Sequence, residues 1–245
     1  MNVLAFDTCL GAVSAAVRWR GPDGWHLRES YGELSAHHAE QLFPRIAEVM
    51  AGSGLAFSAI DRIAVTVGPG GFTAVRVGVS AARALALATG KPVVATTSLA
   101  VMAHRAEERL GEPLGERRIV VAVHAGRGAH YVQSFAAGVV ETAEPRLLAT
   151  EEAARCIDRP GAILVGTGAL AIADLVRKAG GDADPRFPEV LPHARNLALL
   201  APRLAPVSPV RPLYLRPPDV GPQDAAALAQ TVSGAVSGAT SRTPS

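Results

Sequence analysis

The stretch from Ile63 to Thr89 constrains this chain more than any other. Ile63-Ala64-Val65-Thr66-Val67 shows little polar alternation, which predicts a strand buried on both faces. Gly68-Pro69-Gly70-Gly71 turns the chain, and a long helix follows from Thr73 to Thr89. Gly90 closes that helix and Lys91-Pro92 forbids its continuation. The helix carries only two charges, Arg76 and Arg83. A helix lying on a sheet needs one apolar stripe and normally turns a polar face to water. This helix is small or apolar almost all round, and Gly78, Ser80, Ala81 and Ala82 let another backbone come close. It is expected to be covered on both sides, in part by the preceding helix with Leu42, Phe43 and Ile46; if both helices stay exposed on the monomer, a partner protein is implied. An ordinary buried helix of a large core is the competing explanation.

The rest of the pattern alternates strands and helices and predicts an α/β chain. Val3–Phe6, Ala12–Trp19 and Trp25–Tyr31 read as a three-strand meander, with Gly21-Pro22-Asp23-Gly24 as turn chemistry. A helix from about Ala36 to Met50 carries Leu42, Phe43, Ile46, Val49 and Met50 as one stripe, interrupted by Pro44. A strand at Pro92–Thr97 and a helix from Ser98, its expected N-cap, to Leu110 complete a first half. Polar Gly111–Arg118 reads as a connection. Beyond it come strands at Ile119–Val123, Tyr131–Phe135 and Ala162–Val165, and helices at Glu151–Cys156, Ala169–Ala179 and Arg195–Leu204. Gly180–Pro192 reads as loop and Pro209–Pro218 as extended chain. Both halves contain strand, Gly-rich turn and helix, the second turn being Gly166-Thr167-Gly168. The expected division is residues 1–110, 111–220 and a disordered tail at 221–245, with a weak helix over Asp224–Gln230.

Composition narrows the classes. With 49% hydrophobic and 19% charged residues over 245 positions, disorder over most of the length is excluded. Two cysteines, Cys9 and Cys156, exclude a disulfide scaffold and a cysteine-built zinc site. A net charge of +2 does not by itself argue for a nucleic-acid-binding surface, although it leaves room for a local patch. Met1 to Asp7 lacks a basic export signal, and Arg76 and Arg83 make Val75–Gly90 a poor membrane span. A cytoplasmic protein without membrane attachment is expected.

The residues that could carry chemistry are few. Asp7-Thr8 at a strand end could hold a magnesium ion on phosphate oxygens, or could simply cap a turn. Gly68, Gly70 and Gly71 before a helix could expose amides to an anion, but no Gly-Lys-Ser or Gly-Lys-Thr follows. His37 and His38 find Gln41 and Leu42 four residues on, so no metal-ligand pair forms on a helix face. His26, His104, His124, His130 and His193 show no ligand spacing, and no bound metal is expected. Cys9 reads as a buried, inert thiol, and a Gly-x-Ser-x-Gly elbow is missing. Two main functional classes remain: a docking subunit without turnover, and a phosphotransferase or ATPase using Asp7 and the glycine turns. The absence of paired metal ligands speaks against a third and weaker class, a metallopeptidase, which the residues themselves do not suggest.

Asp7-Thr8, His38-Ala39-Glu40-Gln41-Leu42-Phe43-Pro44, the block Val67-Gly68-Pro69-Gly70-Gly71-Phe72-Thr73-Ala74-Val75-Arg76-Val77-Gly78, and Tyr214-Leu215-Arg216-Pro217-Pro218 together resemble the TsaB (YeaZ) family. The likeness spans roughly Met1 to Asp219. It implies two actin-like (ASKHA, ribonuclease H-like) lobes with mixed sheets flanked by helices. It implies a non-catalytic dimerisation subunit of the machinery that makes threonylcarbamoyladenosine in tRNA. It also implies a paralogous partner, TsaD, that holds the metal and performs the transfer, and an ATPase partner, TsaE. Transfer RNA would be met only through the complex, and the chain alone would form a homodimer. The helices near His38–Met50 and Thr73–Thr89 would form the shared interface, through His38, Leu42, Phe43, Ile46, Val75, Val79 and Ala82. No cofactor is implied beyond weak ATP or ADP contact at Asp7, Thr8, Gly68, Gly70 and Gly71. Two segments depart from the family: Gly71 and Ala74 replace Ser and Gly, and His124-Ala125-Gly126-Arg127-Gly128-Ala129-His130-Tyr131 replaces Asp-Ala-Arg-Arg-Gly-Glu-Val-Tyr.

Overall fold

Residues 1–33, 38–157 and 159–216 are described by the computed structural model of the chain. The expected tail at 221–245 lies outside them. Val3–Asp7 (β1) is buried at every position. Its side chains alternate: Leu4 and Phe6 enter one apolar layer, Val3 and Ala5 the other. Ala12–Gly21 (β2) pairs antiparallel with β1, and Gly24–Glu33 (β3) with β2. Gly24 takes φ +136°, a conformation that a Cβ would disfavour, and so permits the tight return at the hairpin tip. Arg62–Thr66 (β4) and Val93–Thr96 (β5) add in parallel, giving the order β3-β2-β1-β4-β5.

Helix His38–Ser53 (α1) lies on β2 and β3, and helix Phe72–Thr89 (α2) on β4, beside α1. Pro44 falls inside α1 on its exposed side, where water can replace the lost backbone hydrogen bond. Helix Ser98–Leu110 (α3) is capped one residue earlier than expected: Thr97 Oγ1 accepts from the Ala100 amide at 2.9 Å. Ser98 Oγ instead donates to the Pro69 carbonyl at 2.6 Å, tying α3 to the glycine-rich turn.

A second sheet repeats the scheme. Ile119–Gly126 (β6) and Ala129–Ala136 (β7) form an antiparallel hairpin. Val140–Glu141 (β8) and Arg146–Ala149 (β9) both pair with β7. After helix Thr150–Arg155 (α4), Ala162–Val165 (β10) adds parallel to β6. Helix Ala169–Lys178 (α5) and strand Ala183–Pro185 (β11) follow, and β11 pairs parallel with β10. The segment expected to be loop at 180–192 therefore contains a strand, set by pairing and not by propensity. Helix Ala194–Leu200 (α6) ends in a 3-10 turn, Ala201–Arg203, so the expected single helix to Leu204 is divided.

The core follows the period of two. Ile119, Val121 and Val123 meet Leu99, Met102 and Ala103 of α3, while Val120 and Ala122 meet Ile172 and Ala173 of α5. In the first sheet, α1 and α2 cover one face and α6 covers the other through Leu197, Ala198 and Leu200. The chain then returns as a strap. The Val207 amide donates to the Val93 carbonyl at 2.8 Å, the Leu213 amide to the Val67 carbonyl at 2.7 Å, and Arg83 Nε to the Val210 carbonyl at 2.8 Å. By length and composition α2 could cross a membrane, but Ala74, Val75, Gly78, Val79, Ala81 and Ala82 are buried in this core.

Candidate functional site

The end of β1, the turn after β4 and the start of α2 meet at one corner. Asp7 is fully buried, and its Oδ1 accepts a short hydrogen bond from Thr66 Oγ1. Cys9 Sγ donates to Thr66 Oγ1 at 3.1 Å, so thiol, hydroxyl and carboxyl form a chain. Asp7 Oδ2 has no hydrogen-bond partner among the described residues. Desolvation outweighs the hydrogen bonds from Thr66 and Cys9 and raises the Asp7 pKa to about 7. Burial and the neighbouring carboxyl also push the Cys9 thiol well up, which suits an inert side chain.

The glycines serve this corner by letting backbones touch. A Cβ on Gly70 would lie 1.9 Å from the Cys9 carbonyl oxygen, and one on Gly78 would lie 2.7 Å from Thr8 Oγ1. The Gly71 amide donates to the Cys9 carbonyl at 2.9 Å, and Thr8 Oγ1 donates to the Ala74 carbonyl at 2.7 Å. The Gly68 carbonyl accepts from the Ser98 amide at 2.8 Å, and Leu213 of the strap covers Gly68. Asp7, Thr8, Gly68, Gly70 and Gly71 are therefore brought together, but around the protein's own chain. A nucleotide phosphate would have to displace the Cys9 carbonyl from the Gly71 amide and uncover a sealed carboxyl. The Gly71 amide and the Asp7 carboxyl are both turned to the protein's own chain.

The matching corner of the second sheet is built alike. The Gly168 amide donates to the Ala122 carbonyl at 2.9 Å, and the His124 amide to Thr167 Oγ1 at 2.8 Å. His130 packs against Gly168, where a Cβ would lie 2.4 Å from its ring. Burial and then His124 lower the His130 pKa. The divergent segment 124–131 thus forms the tip of the β6–β7 hairpin. Among the described residues no group of three or more His, Cys, Asp or Glu is placed to hold a metal ion.

The paired helices present a different kind of surface. Leu42, Ile46, Val75, Val79 and Ala82 point into the chain's own core and are fully or almost fully buried. As placed here they support the helices and are not themselves available to a partner. Phe43 is the exception, 51% exposed. The His38 side chain lies outside what the structure describes. The outward face of α2 carries Thr73, Arg76, Ser80, Arg83, Ala84 and Leu87, the last 90% exposed. At the start of α2, Phe72 stacks on Tyr214 of the strap with ring centroids 4.8 Å apart, and Arg76 lies 5.3 Å over Phe72. Among the described residues α2 is covered on its core side, and its outward flank is exposed with Arg76 and Arg83 as its only charges. Sequence reasoning does not single out Leu87, and it quotes Phe72 and Tyr214 only within longer motifs. An apolar residue alone on an outer face gives no periodic signal.

A family model described as TsaD, tRNA N6-adenosine threonylcarbamoyltransferase, matches residues 32–205. The tRNA threonylcarbamoyladenosine biosynthesis protein TsaB of Haemophilus influenzae is 29% identical over 230 residues, covering 88% of this chain and 94% of the relative. An uncharacterized protein of Mycobacterium tuberculosis is 31% identical over 221 residues, covering 90% and 94%. Among solved structures, YeaZ from Pseudomonas aeruginosa superposes with a TM-score of 0.72 at 27% identity, covering 87% of this chain and 99% of that one.

Proposed function

The chain belongs to the TsaB (YeaZ) family, within the wider TsaD family whose model it matches, and from that premise we propose that it is a supporting subunit of the machinery that makes threonylcarbamoyladenosine in tRNA. In this reading it docks to a TsaD-type partner that performs the transfer, and makes or breaks no bond itself. The single observation that carries the reading is the open flank of α1 and α2, with Phe43 and Leu87 turned outward over a helix pair anchored in the core. Burying two such side chains contributes about 1.5–3 kcal/mol each before association costs. The sealed Asp7 corner supports the absence of turnover, since its carboxyl and amides face the protein itself. A second copy of the chain would cover the same flank when the partner is missing. A TsaE-type ATPase would join the assembly in the cytoplasm.

Co-purification with a TsaD-type partner tests the proposal. The double variant Phe43→Asp/Leu87→Asp leaves the core intact and places two unpaired charges in the interface. Each desolvated charge costs several kcal/mol, so association should fall by more than about 100-fold. Modified adenosine in tRNA should fall with it. Unimpaired assembly of the double variant, or a partner equally active without this chain, would refute the proposal.

A further inference from the structure

We propose that the tip of the β2–β3 hairpin is an RNA-contact surface, by which this chain itself touches nucleic acid. The inference rests on the reading above and deepens it, since the RNA would be the transfer RNA that the assembly modifies.

The chain has only two tryptophans, Trp19 and Trp25, and both lie at this tip. The register pairs Arg20 with Trp25 and Arg18 with Leu27, which puts Arg18, Arg20 and Trp25 on one face. Arg18 lies 3.7 Å from the centroid of the Trp25 ring, and Arg20 lies 5.6 Å from it. Trp25 is 46% exposed, so this stack faces solvent at the edge strand of the sheet. The opposite face carries Trp19 stacked on His26, with centroids 5.2 Å apart, and Arg28 beside Gly52 of α1. Asp23 is the one acid between Arg18 and Arg28, and it is engaged by His26 at 2.7 Å. Residues 18–28 therefore hold three arginines and one acid, an excess of +2. The whole chain has a formal net charge of +2, so the remainder is neutral in sum.

Chemistry favours RNA over an acidic polypeptide. Trp25 stands half exposed and outside the core clusters, and the planar guanidinium groups of Arg18 and Arg20 lie over its ring. Such planes offer donors to phosphate oxygens at their edges and a stacking surface to an unpaired base. Arg18 and Arg20 stand about 7 Å apart along one face of the strand, so they can take successive anionic groups. A peptide carboxylate would use the charges and leave the indole idle.

Fluorescence anisotropy tests this with the full chain, alone and assembled with a TsaD-type partner. The probes are an unmodified tRNA transcript and a uridine-rich single strand at several salt concentrations. Affinity should fall with salt, and Arg18→Ala/Arg20→Ala should flatten the log–log slope by about 1.5. Trp25→Ala should weaken binding roughly 5- to 100-fold, and Trp25→Phe should restore most of it. Partner association and thermal stability should not change in these surface variants. Unchanged affinity and slope in Arg18→Ala/Arg20→Ala/Trp25→Ala would overturn the proposal. So would displacement of RNA by polyglutamate at equal charge concentration. If the variants bind RNA normally while wild type still supports modification, the surface is refuted and the supporting role stands. If the chain never associates with the partner but binds RNA through this tip, the supporting role fails and the surface stands.

Discussion

Replacing Asp7 by asparagine should change how stability depends on pH, with a calculable sign. Burial raises the Asp7 pKa from 3.8 to about 7, against the opposing hydrogen bonds of Thr66 and Cys9. The folded state then holds a proton that the unfolded state has released, so stability falls as pH rises from about 4 to 7. The contribution is fully present below the unfolded pKa and is lost once the pH passes the folded one. The gap between the two values corresponds to about 4 kcal/mol across that window. His104 and His130 act in the opposite direction, because burial lowers both pKa values and favours the neutral rings as pH rises. The substituted amide would keep the acceptor for Thr66 and place an NH2 group where Oδ2 has no partner, a pH-independent cost of about 1–3 kcal/mol. Urea unfolding of both proteins at about pH 4.5, 6 and 8 isolates the carboxyl. Asp7→Asn should be the less stable at about pH 4.5 and the more stable at about pH 8, the two curves crossing between. Parallel curves would show that Asp7 titrates normally and would refute the reasoning.

Two further outcomes follow from the packing. Gly70→Ala would drive a Cβ to 1.9 Å from the Cys9 carbonyl, so the turn must move and stability should fall by about 1–3 kcal/mol or more, read from the thermal midpoint. Leu42→Ala should cost about 2–5 kcal/mol in chemical denaturation, while its neighbour Phe43→Ala should cost under about 0.5 kcal/mol and weaken partner binding instead. Equal stability losses at these two positions would mean that Phe43 is packed and not presented.

The order of elements is legible in the sequence because period and punctuation agree. Val3–Asp7 and Arg62–Thr66 are apolar on both faces, and Gly90 with Pro92 marks the end of α2 without ambiguity. Strands β8, β9 and β11 are not legible. Ala183-Asp184-Pro185 has no strand propensity and exists through its pairing with β10. The helix faces are half legible. A helix that is apolar all round reveals its unusual environment but hides which side meets the core; Val75, Val79 and Ala82, which the family resemblance assigns to an interface, lie in the chain's own core. The glycines of 68–71 pose a similar ambiguity. The sequence leaves an anion site and a tight connector both open at 68–71, and in the structure the Cys9 carbonyl lies against Gly70. The Arg18–Trp25–Arg20 stack needs the hairpin register, which the Gly21–Gly24 pairing supplies.

The strap and α6 carry a consequence for biosynthesis. The first sheet is delivered early in synthesis, yet the helix that covers its second face is Ala194–Leu200 and the strand edge at Val93 waits for Val207. While the ribosome is still making the second sheet, Val3, Ala5, Ala16 and Ala64 have no lid. The nascent chain therefore keeps an oily underside facing water until its closing residues emerge, which exposes it to chaperone capture and to self-association at that stage. Shortening the gene by the codons after residue 190 removes the cover from the part of the protein made first.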